Sequence, residues 1–377
     1  MASTKLLDTH IHLWPSTSTS PIHHGWMTVG HPLAKRHGIS DYNTVTHSTS
    51  LIHPSGFIYV ETDRYLPSPT PGIISDVSGT ANSEQKVRQW AHEPLQELKF
   101  LRRMVEGNPE EGDGFDSGDG EKMVGCVIWA PFHLPVPLFD LYLQIAEDIS
   151  GPQLWKRVVG FRYLLQGIEL EGEMRKLVES RDWLRNVLRL RSGREGKGWA
   201  FDIGVDSHHR GIWQMEVAAD MVERVREMEG DGKDGRVRFV LNHLCKPDLS
   251  ASPCHSRTNW LANITRFASQ PLVYMKLSGV FNEFAPDPTP ADVSSLLKHL
   301  EPEISATLTQ FGPGRTMFGS DWPVCNIGGP RGEQSWGMWS DVVEKVLERE
   351  RMNMWINTEG KESVWWRSGC EAYGVEI

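Results

Sequence analysis

Short apolar runs that end in a polar residue recur along this 377-residue chain and constrain its fold more than any other feature. The first lies in Lys5–Pro15, where Asp8, His10 and His12 alternate with Thr9, Ile11 and Leu13. Side chains two apart on a strand share a face, so this spacing predicts Asp8, His10 and His12 on one side. Seven more runs follow: Gly56–Glu61, Met123–Trp129, Val158–Leu165, Ala200–Asp206, Val237–His243, Leu272–Ser278 and Arg315–Asp321. Runs of this kind are what parallel strands buried on both faces look like.

Most connections between the runs carry a helical pattern. In Trp213–Met228 the residues Val217, Met221, Val225 and Met228 keep a three-to-four spacing. Ser83–Glu106 has a similar stripe, with Pro94 placed to restart the helix. Leu138–Ile149, Glu171–Leu190, Thr258–Ala268 and Thr289–Phe311 supply the others. Eight strands alternating with helices predict a single-domain (β/α)8 TIM barrel. The rival, a doubly wound open sheet, lacks its Gly-rich phosphate loop after the first strand.

Two stretches depart from the alternation. Residues 15–54 are rich in Ser, Thr and His and leave the carboxyl end of the first strand, so they predict an ordered capping loop over the barrel mouth. Trp26 and Tyr42 would stack there on a substrate ring, and His31 would hydrogen-bond its hydroxyls. Residues 106–122 are acidic and Gly-rich, which predicts a flexible surface loop. Residues 336–377 are expected to form helices packed on the barrel, with Trp365 and Trp366 in the core.

Composition narrows the partners. A formal charge of −10 argues against nucleic acid. No run nears the roughly 18 apolar residues of a membrane span, and MASTKLLDTH has no apolar signal core, so a cytoplasmic location is expected. Five cysteines without CxxC spacing predict reduced thiols. Association into a homo-oligomer stays open.

In a barrel the carboxyl ends of the strands converge on one pocket. Those ends offer His10, His12, Glu61, Arg162, His243, Lys276 and Asp321. His10 and His12 could hold one zinc-like ion from a rigid element. Burying so many polar groups without a task is expensive. Taken singly, Glu61 and Arg162 read equally well as an ion pair, and His243 as a core histidine.

The HxH strand, Asn-His-Leu-Cys-Lys-Pro at 242–247, Lys-Leu-Ser-Gly at 276–279 and Gly-Ser-Asp-Trp-Pro-Val-Cys at 319–325 resemble the amidohydrolase superfamily. Within it they are most similar to the branch of sugar-acid lactonases of L-fuconolactonase and L-rhamnono-1,4-lactonase type. Gly160-Phe-Arg-Tyr-Leu-Leu-Gln166 is similar to that branch's fourth strand. The resemblance implies a divalent metal, zinc, held by His10, His12 and Asp321, with Asp321 also the base for the attacking water. It implies that His243 polarises the carbonyl or assists proton transfer. Arg162 would hold the substrate's ring or the emerging carboxylate. Glu61, Lys276, Trp322 and His31 join Arg162 as expected substrate contacts. A further metal ligand stays open between Glu61, His208, His209 and water. The implied substrate is a small-molecule sugar lactone. The alternatives are a metal-dependent decarboxylase of aromatic or muconate-like acids and a catalytically silent barrel.

Overall fold

The computed structural model describes residues 5–50, 52–72, 81–250, 256–352 and 356–377. All eight expected strands form: β1 (Leu7–Ile11), β2 (Gly56–Val60), β3 (Met123–Trp129), β4 (Val158–Arg162), β5 (Ala200–Ile203), β6 (Arg238–Leu241), β7 (Val273–Leu277) and β8 (Thr316–Phe318). They lie parallel in sequence order in one eight-stranded sheet. β8 returns to β1 through His12 N to Trp322 O and Asp321 N to His10 O, each 2.8 Å. This is the (β/α)8 barrel that the runs predict.

The barrel interior is built from every strand. Leu7, Ile58, Val60, Val127, Val159, Ala200, Val240, Tyr274 and Met317 pack together, and Ala372 and Tyr373 of the helix Ser368–Tyr373 join them. That helix therefore plugs the amino-terminal end of the barrel, a closure that its sequence did not announce. The much larger apolar layer lies between sheet and helices. Of the two C-terminal tryptophans expected in the core, Trp365 is fully buried and Trp366 is half-buried. The expected helix over 83–106 is two, Ala81–Trp90 and His92–Glu106, and Pro94 falls in the first turn of the second, where its missing N–H costs nothing.

The cap over 15–54, residue 51 lying outside the described residues, includes a helix at Ile39–Thr49 that its polar composition hid. Trp14 Nε1 donates to Lys35 O (2.7 Å) and Trp26 Nε1 to Thr62 O (2.9 Å), which ties the cap to the ends of β1 and β2. The acidic stretch at 106–122 is anchored rather than loose. Arg103 grips Asp113 with two hydrogen bonds (2.8 and 2.7 Å), Phe115 enters the core, and Gly112 and Gly114 carbonyls receive N–H groups of Ser16 and Ser40. Cys126, Cys245, Cys325 and Cys370 are free thiols, and Cys254 lies outside the described residues. Among the described residues no helix is long and apolar enough to cross a membrane.

Candidate active site

β1 and the end of β8 bring three ligating groups together. His10 Nε2 lies 3.1 Å from His12 Nε2, and Asp321 Oδ1 lies 3.5 and 3.2 Å from those two nitrogens. His12 Nδ1 faces Val60 O at 2.8 Å. A carbonyl can only accept, so Nδ1 carries the proton and Nε2 presents its lone pair, the usual outer support of a metal-binding histidine. Two imidazoles and one carboxylate, all buried, fit a zinc-like divalent ion at a three-ligand catalytic site.

Asp8, expected beside the two histidines, is turned away. Its carboxylate receives Tyr42 Oη (2.8 Å), Trp336 Nε1 (3.0 Å) and Ser320 N (2.8 Å). The cause is a register shift in the β1–β2 pairing between Asp8 and Ile11, which breaks strict alternation. The same contact removes Tyr42 from the pocket.

His243, at the end of β6, completes the wall. Its Nε2 is 3.9 Å from Asp321 Oδ1, its Nδ1 is 2.9 Å from Ser278 Oγ, and its ring centroid is 4.5 Å from that of His10. Burial pushes His243 down to about 3, so it is neutral at pH 7. Burial, and after it the charge of Lys276, holds His10 well below the usual imidazole range, which suits a ligand that must be unprotonated. Burial of Asp321 disfavours its charge, but His243, His12 and Lys246 outweigh that and keep its carboxyl below the usual value.

Backbone strain is concentrated here. Asp321 has φ +61°, and four consecutive residues without a glycine, His243, Leu244, Cys245 and Lys246, have φ between +52° and +57°. A left-handed L-residue costs roughly 1–2 kcal/mol, and such strain collects at functional sites. Gly279 has φ +60°, and a Cβ there would lie 2.5 Å from Asp321 Oδ2 and 2.7 Å from His243 Nδ1. Only glycine fits between the two.

These groups open into a cavity of about 600 Å³. His12, Asp321, His243 and Arg162 form its floor, and Trp14, Trp26, His31 and Leu33 come from the cap and the end of β1. His31 and Trp26 thus stand where the sequence suggested. Arg162 is locked in place, with Nε on Glu61 Oε1 and Nη2 on Glu61 O (2.6 Å).

Three expected substrate contacts stand elsewhere. Glu61 is fully buried, binds Arg162 through Oε1 and Asp63 N through Oε2 (2.7 Å), and neither lines the cavity nor joins His10, His12 and Asp321. Lys276 lies behind His10, fully buried, with Nζ 2.7 Å from Asp202 Oδ2 and 3.2 Å from His10 Nδ1. Trp322 packs against His37 and Tyr42 and does not line the cavity. His208 and His209 gather on Glu283, 3.1 and 3.4 Å from its Oε2, instead of joining His10, His12 and Asp321.

Other cavity residues were not anticipated. Lys246 was visible in the strand-six motif but not as a pocket residue. Asp206 ended the fifth apolar run without being read as a pocket residue, and Asp63 (φ +52°) carried no sequence signal. The protein packed around Asp63, and then the charge of Glu61, raise its carboxyl to about 7, although its outer face is open to the cavity.

Residues 205–349, from the end of β5 past Asp321, match the family described as Amidohydrolase. Over that stretch the chain resembles the amidohydrolase superfamily. An L-rhamnono-gamma-lactonase of Scheffersomyces stipitis is 25% identical to it over 383 residues, spanning 100% of both chains. An L-fucono-1,5-lactonase of Burkholderia multivorans is 28% identical over 225 residues, 57% of this chain and 68% of that protein. Among solved structures, an amidohydrolase of Burkholderia multivorans with bound zinc superposes with a TM-score of 0.65 at 21% identity, covering 98% of this chain and 99% of that one. The barrel thus has the fold of a protein solved with bound zinc.

Proposed function

We propose that this chain is a lactonase that opens a sugar-derived aldonolactone of the L-rhamnono-1,4-lactone class, with a zinc ion at His10, His12 and Asp321. The observation that carries it is the meeting of Asp321 with both imidazoles and His243 on the floor of a cavity that also holds Arg162. Two full or partial curated relatives are named for lactone hydrolysis, and their names fit this arrangement.

When bound, the ion supplies Lewis acidity at the carbonyl and brings a water's pKa toward neutrality. Asp321, held ionised by its neighbours, takes the proton of the attacking water. As the water oxygen bonds to the carbonyl carbon, the ring C–O bond breaks and the ring oxygen leaves as a hydroxyl. His243, neutral and supported by Ser278 Oγ, is placed to pass a proton along that path. Arg162 orients the lactone's oxygens, its side chain pre-set by Glu61. Trp26 offers a flat apolar face for the sugar ring, and His31 a hydrogen bond for its hydroxyls.

The decarboxylase alternative calls for a strand-five histidine on the metal, and His208 and His209 are committed to Glu283. The test is acid release in a pH-indicator assay of zinc-loaded protein over a panel of aldonolactones. Turnover is expected, and Asp321→Asn should lower it at least about a hundredfold, the low end for a general base. Silence across the panel, or carbon dioxide release from aromatic acids instead, would overturn the reading.

A further inference from the structure

The four left-handed residues 243–246 sort into two pairs. Leu244 and Cys245 are fully buried in the apolar layer, whereas His243 and Lys246 both face the cavity. A turn of reversed hand therefore delivers two polar side chains to the same space from residues three apart. Side chains from outside the turn meet three of its carbonyls. Trp260 Nε1 donates to Leu244 O (2.8 Å), and Ser207 Oγ lies 2.9 Å from Cys245 O and 2.7 Å from Lys246 O. Within the turn, Cys245 N bonds Asn242 O (2.8 Å) and Lys246 N bonds His243 O (2.7 Å).

Lys246 at the end of this turn is mostly buried, with its side chain 17% exposed, and its Nζ is 3.6 Å from Asp206 Oδ2 and 3.7 Å from Glu283 Oε1. These two ion pairs keep the ammonium charged, and with three N–H donors against two carboxylates it still has a donor to offer a molecule in the cavity. Glu283 spends Oε2 on His208 and His209, and its Oε1 has no hydrogen-bond partner among the described residues. The ammonium thus lies between two carboxylates and, like His243, lines the cavity.

We propose that Lys246 is a catalytic residue of the lactonase reaction, donating to the carbonyl oxygen as it gains negative charge and keeping that oxygen when it becomes part of the aldonate carboxylate. Ser207 is the positioning residue that holds the turn in register. No covalent step is added: the water, ring oxygen and protons move as described above, and Lys246 only stabilises the charge. Preorganised donors of this kind act where charge develops and commonly contribute about a hundredfold or more. The proposal rests on the lactonase reading, so its test includes an arm that needs no turnover.

Lys246→Met keeps the length of the side chain and removes the charge. Per folded, zinc-loaded molecule, it should lower kcat about a hundredfold. It should also weaken binding of sodium L-rhamnonate, measured by calorimetry, about tenfold or more, while Lys246→Arg recovers part of both. Ser207→Ala should lower kcat with KM nearly unchanged, and Ser207→Thr should restore it. Wild-type kcat and wild-type rhamnonate affinity in Lys246→Met would overturn the proposal. So would a loss that vanishes once activity is normalised to folded, zinc-loaded protein, since that is a structural lysine. If wild type hydrolyses no lactone yet binds rhamnonate through Lys246, the lactonase reading fails and the anion contact stands. If wild type does neither, both fall.

Discussion

Replacing Lys276 by methionine separates the two roles a strand-end lysine can have. Lys276 Nζ and Asp202 Oδ2 are 2.7 Å apart with neither side chain exposed, and Tyr373 Oη approaches both Asp202 oxygens at 2.8 and 2.9 Å. Lys276→Met leaves Asp202 ionised in the barrel interior with one hydroxyl for company. Breaking a buried pair from one side costs about 3–5 kcal/mol. An unfolding entropy of roughly 2.1 cal/mol/K per residue over 377 residues gives about 0.8 kcal/mol per degree. The expected fall in Tm is therefore about 4–6 °C. Asp202→Asn with Lys276→Met should recover much of it, because no unpaired charge remains, and the coupling in the double-mutant cycle should reach about 2 kcal/mol. The assay is thermal and denaturant unfolding of the four proteins beside their KM values. An unchanged Tm with a raised KM would refute the placement and return Lys276 to the substrate.

Three further outcomes follow from the geometry. Arg162→Lys cannot reach both Glu61 Oε1 and Glu61 O, so it should cost about 1–3 kcal/mol of stability as well as turnover; loss of turnover at full stability would contradict the locked pair. Gly279→Ala should lower kcat about a hundredfold, the usual scale for a misplaced group, because its Cβ displaces Asp321 and His243; kcat within a few-fold of wild type would show that both can yield. Burial holds His37 down at about 4 and His24 at about 2, against 6.5 when unfolded. Between pH 6.5 and 4 the unfolded chain then binds more protons, so stability is present above that window and lost as pH falls through it. His37→Phe, which keeps the ring between Trp14 and Trp322, should flatten the decline of Tm between pH 7 and 5, and an identical slope would exclude His37 as a contributor.

The strands were legible because burial on both faces writes itself as short apolar runs, and the polar residue ending most of these runs marks the mouth of the barrel. His10, His12 and Asp321 could be read for the same reason. Depth could not. Lys276 sits in β7 and Lys246 follows β6, yet the first stops beneath His10 and the second reaches the cavity. What separates them is Tyr373, nearly a hundred positions from Lys276 and holding its partner Asp202, and a reversed turn with no glycine to advertise it. Asp8 was misplaced because a register shift has no local signature, and the partner that claims it, Tyr42, lies 34 positions on.

The plug at residues 368–373 ties the last described helix to the first strand. Tyr373 touches Asp202, Asp202 touches Lys276, and Lys276 touches His10 on the first strand. The buried acid–base pair of the barrel interior is thus satisfied by a hydroxyl that comes after all eight strands in the chain, so the interior is complete only with this helix docked.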